Sequence, residues 1–229
     1  MSLQAILWDN DGVLVDTERL YYEATARILS DFGYELTKEA FIRTSLTEGK
    51  SLFSLAKVKP EEHDRMRVAR NTIYGELLSG QDLTLPGARE TLEALKDRIR
   101  MMIVTSSRRD HFEIIHQSTG LLGYFEGVVD NEDYELSKPH PDPYLKGLER
   151  LGLDAEACIA VEDSARGMTS AIRAGLRCVV VPNPLTKDAD FSGAYRVVDS
   201  VRDVVGVVEA LLLGDAHIAS VIAKRSSMW

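Results

Sequence analysis

Two aspartates one residue apart, Asp9 and Asp11, close the apolar run Ala5-Ile6-Leu7-Trp8 and lead into Gly12. Residues two apart at a strand end point to the same side, so both carboxylates are expected to face one small volume. Like charges placed that way are unfavourable unless a cation intervenes or one group is protonated. A second acidic pair, Glu162-Asp163, ends the apolar run Ile159-Ala160-Val161. Three or four converging carboxylates with few histidines suit a hard cation. Mg²⁺ fits best, because it takes few carboxylates, keeps waters and shares phosphate oxygens. A metal beside Asp9 leaves one of its oxygens free to attack phosphorus and form an aspartyl-phosphate. Asp11 would protonate the departing alcohol and later deprotonate the hydrolytic water.

Other polar groups suit the substrate end. Met101–Val104 ends in Thr105-Ser106-Ser107, which offers a hydroxyl and, ahead of a helix, backbone N–H groups that can seat an anion. Lys138, in the loop Ser137-Lys138-Pro139, can neutralise phosphoryl oxygens as charge spreads in the transition state. Pro139 and Pro141 stiffen that loop. Singly, each cluster has a plainer reading as a turn, a helix cap or a solvated loop. Their order and spacing make the case.

These clusters need elements to position them. Ala5–Trp8, Met101–Val104, Gly127–Val129, Ile159–Val161, Cys178–Val181 and Val197-Val198 read as strands. Helices are expected over Ala88–Lys96, Arg109–Gln117, Asp142–Leu151, a stretch ending near Ala174-Gly175, and Val201–Leu213. That alternation predicts an α/β fold, a doubly wound, Rossmann-like parallel sheet that binds ligands beyond the carboxyl ends of its strands. Residues 16–85 break the rhythm. A helix capped by Thr17 and ended by Gly33, the irregular polar segment Thr44–Ser51, and a helix over Pro60–Leu78 predict an all-helical cap inserted after the first strand. The core then comprises residues 1–15 and 86–229, with hinges near 15–17 and 83–87.

Composition excludes several classes. At 229 residues and 45% hydrophobic content, the chain can bury a core without disulfides, and Cys158 and Cys178 read as buried, reduced thiols. A net charge of −9 disfavours nucleic acid and anionic membranes as partners, so an anionic substrate must be attracted by a local device. No apolar run reaches the roughly 20 residues that span a bilayer. A cytoplasmic protein, monomeric by default, is expected.

The ordered clusters resemble the four motifs of the haloacid dehalogenase superfamily, in its phosphatase and phosphomutase branch with a helical cap. Asp9-Asn10-Asp11-Gly12-Val13-Leu14-Val15-Asp16-Thr17-Glu18 is similar to the first motif, Thr105-Ser106-Ser107 to the second, Ser137–Tyr144 to the third and Glu162-Asp163-Ser164-Ala165-Arg166-Gly167 to the fourth. The resemblance spans residues 5 to about 183. It implies Asp9 as nucleophile, Asp11 as acid/base, and Thr105 and Lys138 as phosphate holders. It also implies Mg²⁺ bound by the Asp9 carboxylate, the Asp11 carbonyl and Asp163, with Glu162 at or near the metal. Thr17, Ser106, Glu48 and Lys50 complete the candidate substrate-contacting set.

Asp11 discriminates within that superfamily, since its dehalogenases and phosphonoacetaldehyde hydrolases lack a carboxylate there. Its presence points to phosphate monoesters: sugar phosphates, phosphoglycolate or nucleoside monophosphates. A mutase resembling β-phosphoglucomutase is the competing activity. Such enzymes have a histidine where Tyr21 aligns and a cap-loop arginine near the position of Glu48; the loss of both favours hydrolysis, while Lys50 is the residue that could stand in for the arginine. A catalytically silent binding protein is disfavoured by the intact Asp9, Asp11, Lys138 and Asp163. A nicotinamide-dependent dehydrogenase is disfavoured by the lack of Gly-x-Gly-x-x-Gly after the first strand. Among the histidines only His140 adjoins the expected chemistry. Trp8 reads as core packing, Asn10 as a polar residue at the mouth of a wet site, and Arg108 and Arg109 as a solvated helix start.

Overall fold

A computed structural model of the protein describes residues 2–214. His217 and Lys224-Arg225, in a tail with no chemistry to read, lie outside the described residues. The apolar runs become strands β1 (Ala5–Trp8), β2 (Arg100–Val104), β3 (Val128–Val129), β4 (Cys158–Glu162), β5 (Arg177–Val180) and β6 (Arg196–Val197). They form one six-stranded sheet in the order β3-β2-β1-β4-β5-β6, with every neighbouring pair parallel. The helices are α1 (Glu18–Asp31), α2 (Lys38–Phe41), α3 (Pro60–Leu78), α4 (Ala88–Leu95), α5 (Arg109–His116), α6 (Asp142–Leu151) and α7 (Ala165–Arg173). A final helix spans 204–214.

Side chains alternate across the sheet, as the period of two requires. Ile6, Trp8, Met101, Ile103, Ile159, Val161 and Val179 join one cluster with α4 and α5, Trp8 serving as core packing. Leu7, Met102, Val104, Ala160, Cys178 and Val180 join the other with α6 and α7. Strands buried on both faces explain the unbroken apolar runs of the sequence, and helices on both sides make the fold doubly wound. Both cysteines are buried and free. No helix among the described residues is long and apolar enough to cross a membrane.

Between β1 and α4 the chain is helical and builds its own apolar cluster, including Ile28, Leu29, Phe41, Leu52, Phe53 and Met66. The segment expected to be irregular is partly ordered: Ile42–Thr47 is a π-helical turn that buries Thr44 and Leu46. Leu20, Ala24, Tyr74 and Leu78 continue the sheet-side cluster. The two passages between these helices and the sheet run side by side. The N–H of Asp16 donates to the Leu83 carbonyl at 2.8 Å, and that of Leu85 to the Leu14 carbonyl at 2.9 Å.

Candidate active site

Asp9 and Asp11 follow β1, Thr105-Ser106-Ser107 follows β2, Glu162 and Asp163 end β4, and Lys138 enters from the loop between β3 and α6. All therefore meet at the carboxyl edge of the sheet. Gly12 permits the tight turn after Asp11. Its φ is +82°, and a Cβ there would lie 2.3 Å from Asp163 Oδ2, so a side chain is excluded both by conformation and by space.

Lys138 is 3% exposed, and its ammonium is fully satisfied. It donates to Asp9 Oδ1 at 2.8 Å, Glu162 Oε1 at 2.7 Å and the Val104 carbonyl at 2.9 Å. Burial opposes the charge on Lys138, but the Asp9 and Glu162 carboxylates outweigh it and hold the ammonium above its ordinary pKa. Burial pushes the Asp9 carboxyl up to about 7, helped by Glu162 and resisted by Lys138. Asp163 is held well above the carboxylate range by burial and by the charges of Glu18, Asp9 and Glu162.

The donor set fits a hard divalent cation. Asp9, Glu162 and Asp163 are buried and can bring carboxylate oxygens within 4.8 Å of one another. Desolvated carboxylates that repel each other gain most from a cation. Glu162, however, gives Oε1 to both Lys138 and Tyr144, whose hydroxyl donates at 2.6 Å. Its other oxygen sits against Gly167, where a Cβ would lie 1.9 Å away. Glu162 thus anchors Lys138 from below. Gly167→Ala should displace it and cost about 3 kcal/mol, although alanine is the better helix former by about 1 kcal/mol. For a chain of this size that is a melting-temperature drop of roughly 6–12 °C. A variant melting within about 2 °C of the wild type would show that the glycine is not needed for the cradle.

Asp11 is turned toward the second motif. Thr105 and Ser107 donate to its Oδ2 at 3.0 and 2.9 Å, and Thr17 donates to its Oδ1. Thr17 therefore does not cap α1 with its side chain, contrary to the sequence reading; its φ and ψ are helical and its hydroxyl points to Asp11 instead. Thr105 Oγ1 also accepts the Ser107 N–H at 3.0 Å, which shapes the loop ahead of α5.

A cavity of about 410 Å³ lies between this edge and the helical insert, lined by Asp11, Thr17, Ser106, Lys138 and, from the insert, Lys50 and Arg70. Glu48 is absent from the lining: it is exposed and pairs with Lys50 at 3.0 Å. Asp9, Thr105, Glu162 and Asp163 are buried and are not among its lining residues.

Several functional contacts were not read from the sequence. Asn10 is fully buried rather than at a wet mouth, and its Oδ1 lies 2.9 Å from His116 Nε2. His116 Nδ1 in turn lies 2.8 Å from Thr119 Oγ1. Burial lowers the His116 pKa to about 4, so the ring is neutral. His140 is thus not the only histidine near the chemistry, since His116 holds Asn10 and His111 lines the cavity. Asn183 was also missed. Its amide donates at 2.7 Å to both Asp163 and Glu18, tying the end of β4 to α1. Arg109 is not merely solvated but pairs with Asp130 at 2.8 Å, while Arg108, paired with Asp110, reaches the cavity.

Comparison with known proteins accords with this architecture. The family model of haloacid dehalogenase-like hydrolases matches residues 6–181. Protein CbbY of Cupriavidus necator is 30% identical over 94% of this chain and 92% of its own. The phosphorylated carbohydrates phosphatase of Thermotoga maritima is 30% identical over 91% of each chain. The crystal structure of CbbY from Rhodobacter sphaeroides in complex with xylulose-(1,5)-bisphosphate superposes with a TM-score of 0.76 at 25% identity, covering 88% of this chain and 96% of that one. The chain belongs to the haloacid dehalogenase-like hydrolase family, the family its four motifs resemble.

Proposed function

We propose that the chain is a Mg²⁺-dependent phosphatase of small phosphate monoesters, with Asp9 as nucleophile and Asp11 as acid and base. The observation that carries the reading is the buried Asp9 carboxylate, beside Asp163 and held by Lys138, which itself lines the cavity. Lys138 fixes Oδ1 of Asp9, which leaves its second oxygen to attack phosphorus in line and form the aspartyl-phosphate. Asp9, Asp163 and the Asp11 carbonyl would hold Mg²⁺, with Glu162 beside it. The ion would supply charge neutralisation at the phosphoryl oxygens. Thr105, Ser106 and Lys138 bind the phosphoryl group. Asp11 gives its proton to the leaving oxygen and then takes one from the water that cleaves the acyl phosphate. Thr17 orients Asp11 from the cap side.

Residues 1–15 and 86–229 act as the catalytic core and 16–85 as a cap, hinged where 14–16 pairs with 83–85. Closure excludes bulk water. Hydrolysis is preferred to mutase chemistry because Tyr21, at the mutase histidine position, packs edge-on against Tyr74 and tilted against Phe41 and offers no imidazole. The compartment is taken as the cytoplasm, where phosphorylated metabolites occur and free cysteines stay reduced.

A phosphate-release screen over metabolite esters and an aryl phosphate tests the reading, with glucose 1-phosphate also assayed for isomerisation. EDTA should lower turnover by at least ~100-fold. Activity indifferent to EDTA would sink the metal role, and isomerisation faster than release would make the enzyme a mutase. The pH profile adds a second check. The pKa of Asp9 is about 7 without metal, and a bound cation lowers it. The acid limb of kcat/KM should therefore lie below pH 7 at saturating Mg²⁺ and move up toward 7 as Mg²⁺ is withdrawn. A limb that stays put would separate Asp9 from the metal.

A further inference from the structure

Asn10, His116 and Thr119 form a line of polar side chains inside the protein. Asn10 and Thr119 are fully buried and His116 is 6% exposed, at the end of a helix whose Phe112 and Ile115 belong to the sheet-side apolar cluster. The His116 ring packs against that of Phe112, with centroids 4.4 Å apart. Buried polar groups cost free energy unless each finds a partner, a demand that an apolar side chain at position 10 would not make.

The line of contacts ends at Asp11. The Leu121 N–H donates to Thr119 Oγ1 at 3.3 Å, Thr119 Oγ1 lies 2.8 Å from His116 Nδ1, and His116 Nε2 lies 2.9 Å from Asn10 Oδ1. Asn10 Nδ2 faces Asp11 Oδ2 at 3.5 Å, long for a hydrogen bond but close enough for the N–H dipole to act on the carboxylate. That end fixes the direction of the whole line. The opposite amide orientation would set the Asn10 oxygen against the Asp11 carboxylate, so the NH₂ turns there instead. Asn10 Oδ1 then needs a donor, and a neutral imidazole supplies one only as the Nε2–H tautomer. Burial keeps the ring neutral, with a pKa of about 4. His116 Nδ1 is left as an acceptor for the Thr119 hydroxyl.

The other donors to Asp11 are the hydroxyls of Thr17, Thr105 and Ser107, which can rotate to donate or accept. An amide pinned from behind cannot. The main chain of Asn10 is held as well, its carbonyl accepting from the N–H groups of Leu14 at 2.8 Å and Val15 at 3.1 Å. His116 itself does not line the cavity.

We propose that His116 is a positioning residue for the acid–base step, setting the orientation of the Asp11 carboxylate through the side chain of Asn10. This rests on the phosphatase reading, in which Asp11 protonates the leaving alcohol. Two rates separate the role from plain support of the fold. Turnover of an alkyl phosphate needs the proton of Asp11, whereas transfer from an aryl phosphate with an acidic phenol does not. Single-turnover phenol release, with enzyme in excess, reads that transfer alone.

His116→Leu should lower alkyl turnover ~10–100-fold, while KM and the rate of aryl transfer each change less than about threefold. His116→Gln, whose amide can still donate to Asn10, should recover most of the loss. Asn10→Leu should reproduce it. The double variant Asn10→Leu/His116→Leu should be no slower than either single one, because both act on one contact. It also removes the polar partner that each single change strands, so it serves as the test if His116→Leu folds poorly. In the wild type, long-range ¹⁵N–¹H correlation of the imidazole should show the Nε2–H tautomer.

An Nδ1–H tautomer overturns the proposal, as do equal losses of alkyl turnover and aryl transfer, or losses that add in the double variant. A wild type that releases phosphate from neither ester fails the phosphatase reading itself, and the proposal falls with it.

Discussion

Asp9→Asn should abolish phosphate release, lowering kcat by about 10⁴-fold or more, because no other group takes over a nucleophile's part. The substitution is nearly isosteric, and the amide oxygen can still accept from Lys138, so the fold should persist. Stability gives the prediction an independent arm. The folded-state pKa of Asp9, about 7, lies above its ordinary 3.8. The contribution of this carboxyl to stability is therefore full below about pH 3.8 and is lost as pH rises through 7. At pH 8 the metal-free wild type holds an ionised, desolvated Asp9 that the variant lacks. The metal-free variant should then melt no lower than the wild type, whereas Mg²⁺ should raise the melting temperature of the wild type alone. Retention of more than ~1% of Mg²⁺-dependent release would rule out Asp9 as the nucleophile.

Asp11→Asn should lower turnover of alkyl phosphates by about 10²–10⁴-fold, the usual range for a lost general acid. The loss should depend on the leaving group. An aryl phosphate with an acidic phenol departs without a proton, so its transfer to Asp9 should be largely spared. On the proposed mechanism, hydrolysis of the phosphoenzyme would also need Asp11 as base, so that intermediate should accumulate and be visible by intact-protein mass spectrometry. Structural cost is small, about 1 kcal/mol, because the Thr17, Thr105 and Ser107 hydroxyls can rotate to meet an amide. Equal loss across leaving groups, with no burst of phenol, would remove Asp11 from the acid role.

The parts of this site that could be read in sequence share a physical cause. Asp9, Thr105 and Glu162-Asp163 each follow an apolar run buried on both faces, and such runs become adjacent parallel strands whose carboxyl ends must converge. Asp142–Leu151, which is strongly amphipathic, and Pro60–Leu78, marked off by its opening proline and by Gly80 after its end, match the observed helices in their bounds. What was not legible depends on contacts made across the chain. Asn10 reads as a solvated polar residue until α5 brings His116, 106 residues away, over it. Asn183 enters from the loop after β5 and meets Asp163 and Glu18 only in three dimensions. Thr17 has the residue type of a helix cap, but Asp11 competes for its hydroxyl and prevails. Glu48 turns outward to Lys50, a choice of loop orientation that spacing cannot encode.

The paired passages at 14–16 and 83–85 give the helical insert an entrance and an exit that touch. A segment joined in that way is a cassette. On the proposed reading, exchanging it for another helical segment that keeps Thr17 would alter which molecule is admitted while preserving the contact that orients Asp11. A replacement must reproduce the apolar patch formed by Leu20, Ala24, Tyr74 and Leu78 and the polar contacts that Thr17 and Glu18 make to Asp11 and Asn183.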